Sequence, residues 1–449
     1  MEKETTQIVL IGGGYASIWA YRSLVHELLI EMMMGRVKIS VICPEEFHSY
    51  HGWTAESLMG IIRDENRMSP LAEIFKFADL IKGKAVRVDP DSHMVDVQLN
   101  DGATLSLPYD QLLLGMGSCD DRSTEGIAEH AYPLKSPEDF LRAKIRLECL
   151  LRQAAGKEIT KPQKAIRFVV AGSGFTGVEI AANLAELIVV LKKKYSAYQN
   201  FKISILLVNS RENLLPGLDA RLNHIRRYAE KIMNQYHVEI LHQTKILRVT
   251  ARGAHLSNGS FIESPMVIST LGQTRIILDG LECMEKDTKK RILMNSFLQT
   301  SRHPDIWGAG DFAHIKHAKT SKLCPSTAIW AIKQGEHAGE NIARTILSQS
   351  LKPFTYPGLG QCASLGIGKG MGELYGIQFT GWIAWIMRWF FFQHFMPSKK
   401  VMWREIGDWL YLLFTRRRKD LWITDEEVDT SLSLKWNPMG NREKIIYQN

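Results

Sequence analysis

Two stretches of this chain open on the same hydrophobic pattern. IVLIGGGYASIWAYRSL (8–24) and IRFVVAGSGFTGVEIAANLAEL (166–187) each run an apolar strand, a glycine-rich loop and a helix with apolar periodicity. Behind the first comes AVRVDPDSHMVDVQLNDGATLSLPYDQLLLGMGS (85–118), where apolar and polar positions alternate through an Asp-Gly turn and end in an apolar run closing on Gly-Met-Gly. That pattern predicts antiparallel strands followed by a buried strand. Behind the second, residues 238–273 repeat the plan and end in Leu-Gly. A further strand and a Gly-Asp turn follow within 292–314, then a helix over 326–347. The expected fold is α/β, with two Rossmann-like domains, the first discontinuous and the second inserted into it. The expected segments are 1–162, 163–290, 291–375 and a C-terminal region, 376–449.

The glycines of such loops have separate tasks. One makes the tight turn, one lets backbone N–H groups approach a pyrophosphate, and one lets helix pack on strand. Two loops, each between strand and helix, point to two dinucleotide sites: Gly12, Gly14, Tyr15 and Ala16 in the first, and Gly172, Gly174, Phe175, Thr176 and Gly177 in the second. Glu179 follows near the start of the second helix, where the helix dipole alone would favour an acid.

The C-terminal region breaks the soluble pattern. GWIAWIMRWFFFQHFM (381–396) holds three Trp, four Phe and two Met around one Arg. It falls short of the roughly 18–20 uninterrupted apolar residues of a spanning helix. A second helix within 404–422 carries Ile406, Trp409, Leu410 and Leu413 at helical spacing. With Lys399, Lys400, Arg404 and the run RRRK at 416–419, this suits a helix pair on an anionic lipid surface. A buried or dimer-forming pair is the competing reading. The net charge of +8 is mild, and no nucleic-acid module is recognisable. Six scattered cysteines without a CxxC pair argue against disulfides and a Cys-based metal site. The polar N-terminus runs straight into a strand without a signal peptide, so the expected location is cytoplasmic, peripheral on the inner face of the membrane.

The order of GGGYAS, PYDQLLLGMGS, YPLKSPEDFLRAK, GSGFTGVEIAANL, IWGAGDFAH and CASLGIGKGMGELYGIQFTGWIAW resembles the two-dinucleotide flavoproteins of the pyridine-nucleotide oxidoreductase superfamily, and within it the type II NADH dehydrogenases. The resemblance implies FAD on the first loop with Gly115, Gly310, Asp311 and Ala328. It implies NADH or NADPH on the second loop with Gly272, and a membrane quinone as acceptor, without proton pumping. Glu179, Lys333 and Gln334 are its candidate catalytic residues. Asp311 also reads as a helix N-cap.

Four departures stand out. Ser17 replaces the third glycine of the first loop. Cys43 stands where an acid would bind the adenine ribose, with Glu45 or Glu46 as stand-ins. Asn209 replaces the acid of NADH-specific members, with Arg211 two residues on, which opens the second site to NADPH. Ala328, Ile329, Ala331 and Lys333 occupy the family's AQxAxQ positions without either glutamine. Three rival functions remain: a sulfide:quinone reductase using Cys119 and Cys324, a soluble reductase of a carrier protein, and a flavin-binding regulator.

Overall fold

The computed structural model describes residues 5–154, 165–199, 201–276, 278–415 and 418. The chain divides into two compact units, each discontinuous in sequence.

The first unit comprises the chain up to Ser49, Ser69–Cys119 and Gln273–Leu359. Its seven-stranded sheet runs in the order Ile306–Gly308, Gln111–Leu114, Thr6–Ile11, Val37–Cys43, Asp79–Asp89, Met94–Leu99, Thr104–Pro108. The first five strands are parallel and the last two antiparallel. This matches the pattern read from the sequence, in which continuous apolar runs make buried parallel strands and alternating runs make antiparallel ones. The core between them includes Val9, Ile11, Val88, Val97, Leu112 and Ile306. The helices Tyr15–Met33 and Ala328–Ile346 pack backbone to backbone. A Cβ on Gly335 would lie 2.2 Å from the Ala16 carbonyl oxygen, and one on Gly339 2.4 Å from that of Ala20.

The second unit comprises Tyr50–Met68, Asp120–Gly272 and the chain from Gly360. Five parallel strands run in the order Ala131–Tyr132, Met266–Ser269, Ala165–Ala171, Lys202–Val208, Glu239–Leu241. Two three-stranded antiparallel sheets accompany them: Ile246–Thr250, Gly253–Leu256 and Phe261–Glu263, and Gly360–Ser364, Gly370–Leu374 and Ile377–Thr380. The grouping differs from the segments expected at 162/163, 290/291 and 375/376. Residues 50–68 and the helix Pro137–Ala154 join the second unit because Leu58, Phe140, Leu147 and Leu151 share one core with Phe168, Val178 and Leu184. The C-terminal helices, Gly381–His394 and Lys399–Thr415, belong to this unit too. Among the described residues, no helix is long and apolar enough to cross a membrane.

Candidate functional site

In the first unit the loop turns at Gly12, whose φ of +106° is left-handed and whose Cβ, if present, would lie 2.7 Å from the Gly115 carbonyl oxygen. Gly14 ends the loop in extended conformation as N-cap of the helix Tyr15–Met33, with no side-chain cap and no acid in the first turn. Such a terminus presents backbone N–H groups and a positive dipole end to an anion. Around it lie buried polar atoms without a hydrogen-bond partner among the described residues: Ser17 Oγ and His48 Nε2. The His48 ring stands edge-on to Tyr15 at 4.6 Å, with Nδ1 3.2 Å from the Gly13 carbonyl oxygen. Burial lowers its pKa to about 4, so Nε2 is an acceptor when Nδ1 donates to Gly13. These features fit a dinucleotide such as FAD.

Ser17 departs from the glycine pattern, and its compensation lies on the facing strand. Ser17 is fully buried, and a Cβ on Gly115 would fall 2.2 Å from its Oγ. The second unit reverses the arrangement. There the helix carries Gly177, whose Cβ, if present, would lie 1.9 Å from the Gly172 carbonyl oxygen and 2.8 Å from Oγ1 of Thr270 at the matching strand end.

Gly310 brings the Asp311 turn against the first loop. Its φ is +75°, and a Cβ there would reach the Cβ of Ala16 at 3.5 Å. Its N–H donates to Gln334 Oε1 at 2.9 Å, so buried Gln334 braces this turn. Asp311 lies within the short turn Gly310–Phe312, whose N-cap is Ala309, and its Oδ2 accepts from Ser118 Oγ at 2.6 Å. Ala328 is the first residue of a helix that also starts uncapped, behind extended Thr327. Lys333 pairs with Glu336 at 2.7 Å. Cys43 is buried and donates to Glu45 Oε2 at 3.1 Å, while Glu46 pairs with Lys82. Cys324 is buried, which pushes its thiol up to about 11, and Cys119 is exposed.

In the second unit Gly172 (φ +104°) and Gly174 repeat the turn and the uncapped start, here of the helix Phe175–Lys194. Gly272 also has positive φ, +130°, and faces open space. Asn209 is fully buried. Its Oδ1 accepts from Ser173 Oγ at 2.6 Å and from the Arg211 N–H at 3.0 Å, and its Nδ2 lies 2.9 Å from His242 Nδ1. It therefore ties the glycine loop to the turn beyond the next strand. The Arg211 side chain is exposed.

Glu179 is the fifth residue of its helix, just past the first turn, and it meets the aromatic helix. Its Oε1 accepts from the Ser364 N–H at 2.8 Å and from Arg388 Nη2 at 3.1 Å. Arg388, the lone charge in the aromatic stretch, donates from Nη1 to Glu56 Oε1 at 2.6 Å and from Nη2 to the Gly52 carbonyl at 2.9 Å. Its guanidinium lies over the rings of Phe392 and Trp53. Two carboxylates thus share one buried cation. Burial, opposed by Arg388 and reinforced by Glu56, raises the Glu179 pKa to about 7. A turn or more along the helix, Asn183 Nδ2 donates to the Ser364 carbonyl and Glu186 accepts from the Ile367 N–H. Glu186 also takes Arg418 at 3.4 Å, so this member of the basic run faces a buried acid; residues 416, 417 and 419 lie outside the described set. Glu56 lies outside the motifs read from the sequence; Asn183 and Glu186 lie on the helix of the second loop, but their roles emerge only from the fold.

The two C-terminal helices have their polar side inward. Arg388 is buried in the first, and Asp408 in the second, paired with Arg63 at 3.0 Å and bonded by Asn66 at 2.5 Å. Outward stand Trp382, Ile383, Ile386 and Phe390, then Trp403, Leu410, Leu413 and Phe414, with Phe390 63% and Trp403 67% exposed. Of the second stripe read from the sequence, Trp409 is buried, Ile406 half-buried, and Leu410 and Leu413 exposed.

Two glycine loops, each following a parallel strand and opening an uncapped helix, define a two-nucleotide oxidoreductase architecture. The chain belongs to the pyridine nucleotide-disulphide oxidoreductase family, whose model matches residues 6–335. It is 26% identical over 399 residues to the type II NADH:quinone oxidoreductase of Staphylococcus epidermidis (strain ATCC 12228), covering 85% of this chain and 92% of that protein. To the Staphylococcus aureus (strain NCTC 8325) protein of the same name it is 25% identical over 397 residues, covering 86% and 94%. Its fold is similar to that of NDH2 from Plasmodium falciparum, with a TM-score of 0.81 at 15% identity over 91% of this chain and 98% of that one. The sulfide:quinone oxidoreductase of Aquifex aeolicus follows with a TM-score of 0.69 at 17% identity, over 91% and 95%.

Proposed function

We propose that this chain is an FAD-dependent NADH:quinone oxidoreductase working at a lipid surface. FAD, held by Gly12–Ala16, Gly310 and Asp311, supplies the two-electron chemistry between nicotinamide and quinone. The chain's own part is positioning. The uncapped helices Tyr15–Met33 and Phe175–Lys194 each offer N–H donors to a pyrophosphate. Gln334 holds the Asp311 turn, and Glu179 is a carboxyl able to hold or release a proton near neutral pH. Lys333 is already paired with Glu336, so an approaching quinone carbonyl would compete with that carboxylate for its ammonium.

The observation that carries the reading is the C-terminal helix pair, which buries Arg388, Glu405 and Asp408 while exposing Trp382, Ile383, Phe390, Trp403, Leu413 and Phe414. A water-soluble acceptor calls for no such face, whereas a bilayer quinone does. The inner face of the membrane is the proposed location, and a homodimer through the same helices is the alternative use of that face. The sulfide reading is disfavoured by the intact second loop and by the buried, weakly acidic Cys324.

The test follows flavin absorbance anaerobically in detergent, adding NADH, NADPH or sulfide in turn and then a soluble quinone. Bleaching by NADH and recovery with quinone is the expected result. Bleaching by sulfide alone, or no recovery with quinone, overturns the proposal.

A further inference from the structure

Arg275 is a buried arginine that the described residues leave almost unpaired. It is 8% exposed, its hydrogen bond among the described residues is a long one, from Nη1 to the Gln273 carbonyl at 3.4 Å, and its Nε has no partner among them. Burying a charge without a counter-charge is strongly unfavourable. The same unit shows the usual solution: Arg291, 5% exposed, is bonded to Asp287, whose carboxylate also meets His314. Asp311 and Asp287 both act electrostatically on Arg275, but Asp311 Oδ2 is taken by Ser118, and burial still pushes the Arg275 pKa down.

The position of Arg275 indicates what completes it. Ser118 Oγ lies 2.6 Å from Asp311 and 2.8 Å from Gln273 Oε1, two residues from Arg275. Asp311 follows Gly310, which stands against Ala16 at the start of the first-loop helix. Arg275 is thus linked through Gln273, Ser118 and Asp311 to the residues that would hold FAD. A guanidinium presents a rigid fork of donors suited to two phosphate oxygens.

We propose that Arg275 is a phosphate-binding residue of the flavin site, a buried cation completed by the diphosphate of the bound FAD. This rests on the FAD reading of the first loop.

The test compares the full-length protein with Arg275→Met and Arg275→Lys. FAD affinity is read from flavin fluorescence on dilution, and displacement of FAD by added ADP probes the diphosphate without the flavin ring. Melting of the FAD-stripped chain reports on folding. Arg275→Met is expected to weaken both FAD and ADP about 30-fold or more, as loss of one partner from a buried charged pair does. Arg275→Lys should lose less. The stripped Arg275→Met chain should melt at or above the wild-type temperature, because an unpaired buried charge has gone.

Unchanged FAD affinity overturns the proposal, as does weaker FAD with unchanged ADP, which would place Arg275 at the flavin ring. A lower melting temperature of the stripped Arg275→Met chain that Arg275→Lys restores would make it a structural residue and also overturn it. Failure of the wild-type chain to hold FAD would instead refute the underlying flavin reading.

Discussion

Ser17 and Gly115 occupy one space: a Cβ on Gly115 would sit 2.2 Å from Ser17 Oγ, inside a fully buried helix–strand contact. The helix keeps a side chain where the pattern asks for glycine, and the strand gives one up. Gly115→Ala should therefore destabilise by about 1–3 kcal/mol, as overpacking does. Ser17→Gly alone carries a helix-propensity penalty of about 0.5 kcal/mol. The double substitution should cost clearly less than the sum. Denaturant unfolding of the four proteins gives the coupling, and strict additivity would show that the two residues do not share that space.

The same logic separates what was legible in the sequence from what was not. The strands, both loops and the antiparallel arms were readable because apolar period and glycine spacing are local. Ser17 was visible as a departure, but its compensation at Gly115 is not, since nothing local ties position 17 to position 115. Arg388 read as an interruption of an apolar stretch, and its partner Glu56 lies 332 positions away. Asn209 read as a lost carboxylate, whereas burial makes it a hub for Ser173, Arg211 and His242. Pairings of this kind are set by packing, which periodicity does not encode.

Arg388 pairs with both Glu56 and Glu179, and its side chain is 2% exposed. Arg388→Met would leave two carboxyl groups buried without it, at a cost of about 3–5 kcal/mol. Adding Glu56→Gln should recover part of that loss. Chemical denaturation of the three proteins checks this. A loss below about 1 kcal/mol, the value of a surface pair, would mean that the triad is not a buried network.

Burial raises Glu179 to about 7 and Glu405 to about 8 from an ordinary 4.5. Each binds its proton more tightly in the folded chain than in the unfolded one. Their stabilisation is complete below pH 4.5 and is lost as pH rises through 7 and 8. Glu405→Gln keeps an acceptor for Gln393 without the ionisation. The variant should melt above the wild type at pH 9, with the gap closing as pH falls to 4.5. A gap independent of pH would show that Glu405 does not titrate in this window.

Asn209 is buried and Arg211 exposed, so only the latter can meet a 2′-phosphate directly. Asn209→Asp should lower stability, by placing an ionisable carboxylate at a fully buried position, while leaving the NADH/NADPH preference nearly unchanged. Arg211→Ala should lower kcat/KM for NADPH about tenfold relative to NADH, the order of one hydrogen bond to a charged group. Steady-state kinetics with both nucleotides decides. A large switch in preference by Asn209→Asp alone would mean that the position reaches the ribose.

The aromatic helix is fastened by Arg388 on one side and bare on the other, so its two sides can be tested separately. Phe390 and Leu413 stand outward, 63% and 62% exposed, and Phe390 meets the neighbouring Trp389 ring edge-on. Burying one such side chain in the interfacial layer contributes about 1.5–3 kcal/mol. Phe390→Glu should weaken binding to anionic vesicles about tenfold or more, with an unchanged melting temperature. Raising the salt should weaken the wild type as well, through Lys399 and Lys400, both exposed. Vesicle flotation at two ionic strengths measures both effects. If Phe390→Glu leaves flotation unchanged but converts a dimer to a monomer in light scattering, the face joins two copies of the chain. The quinone would then have to reach the flavin by a route other than this helix pair.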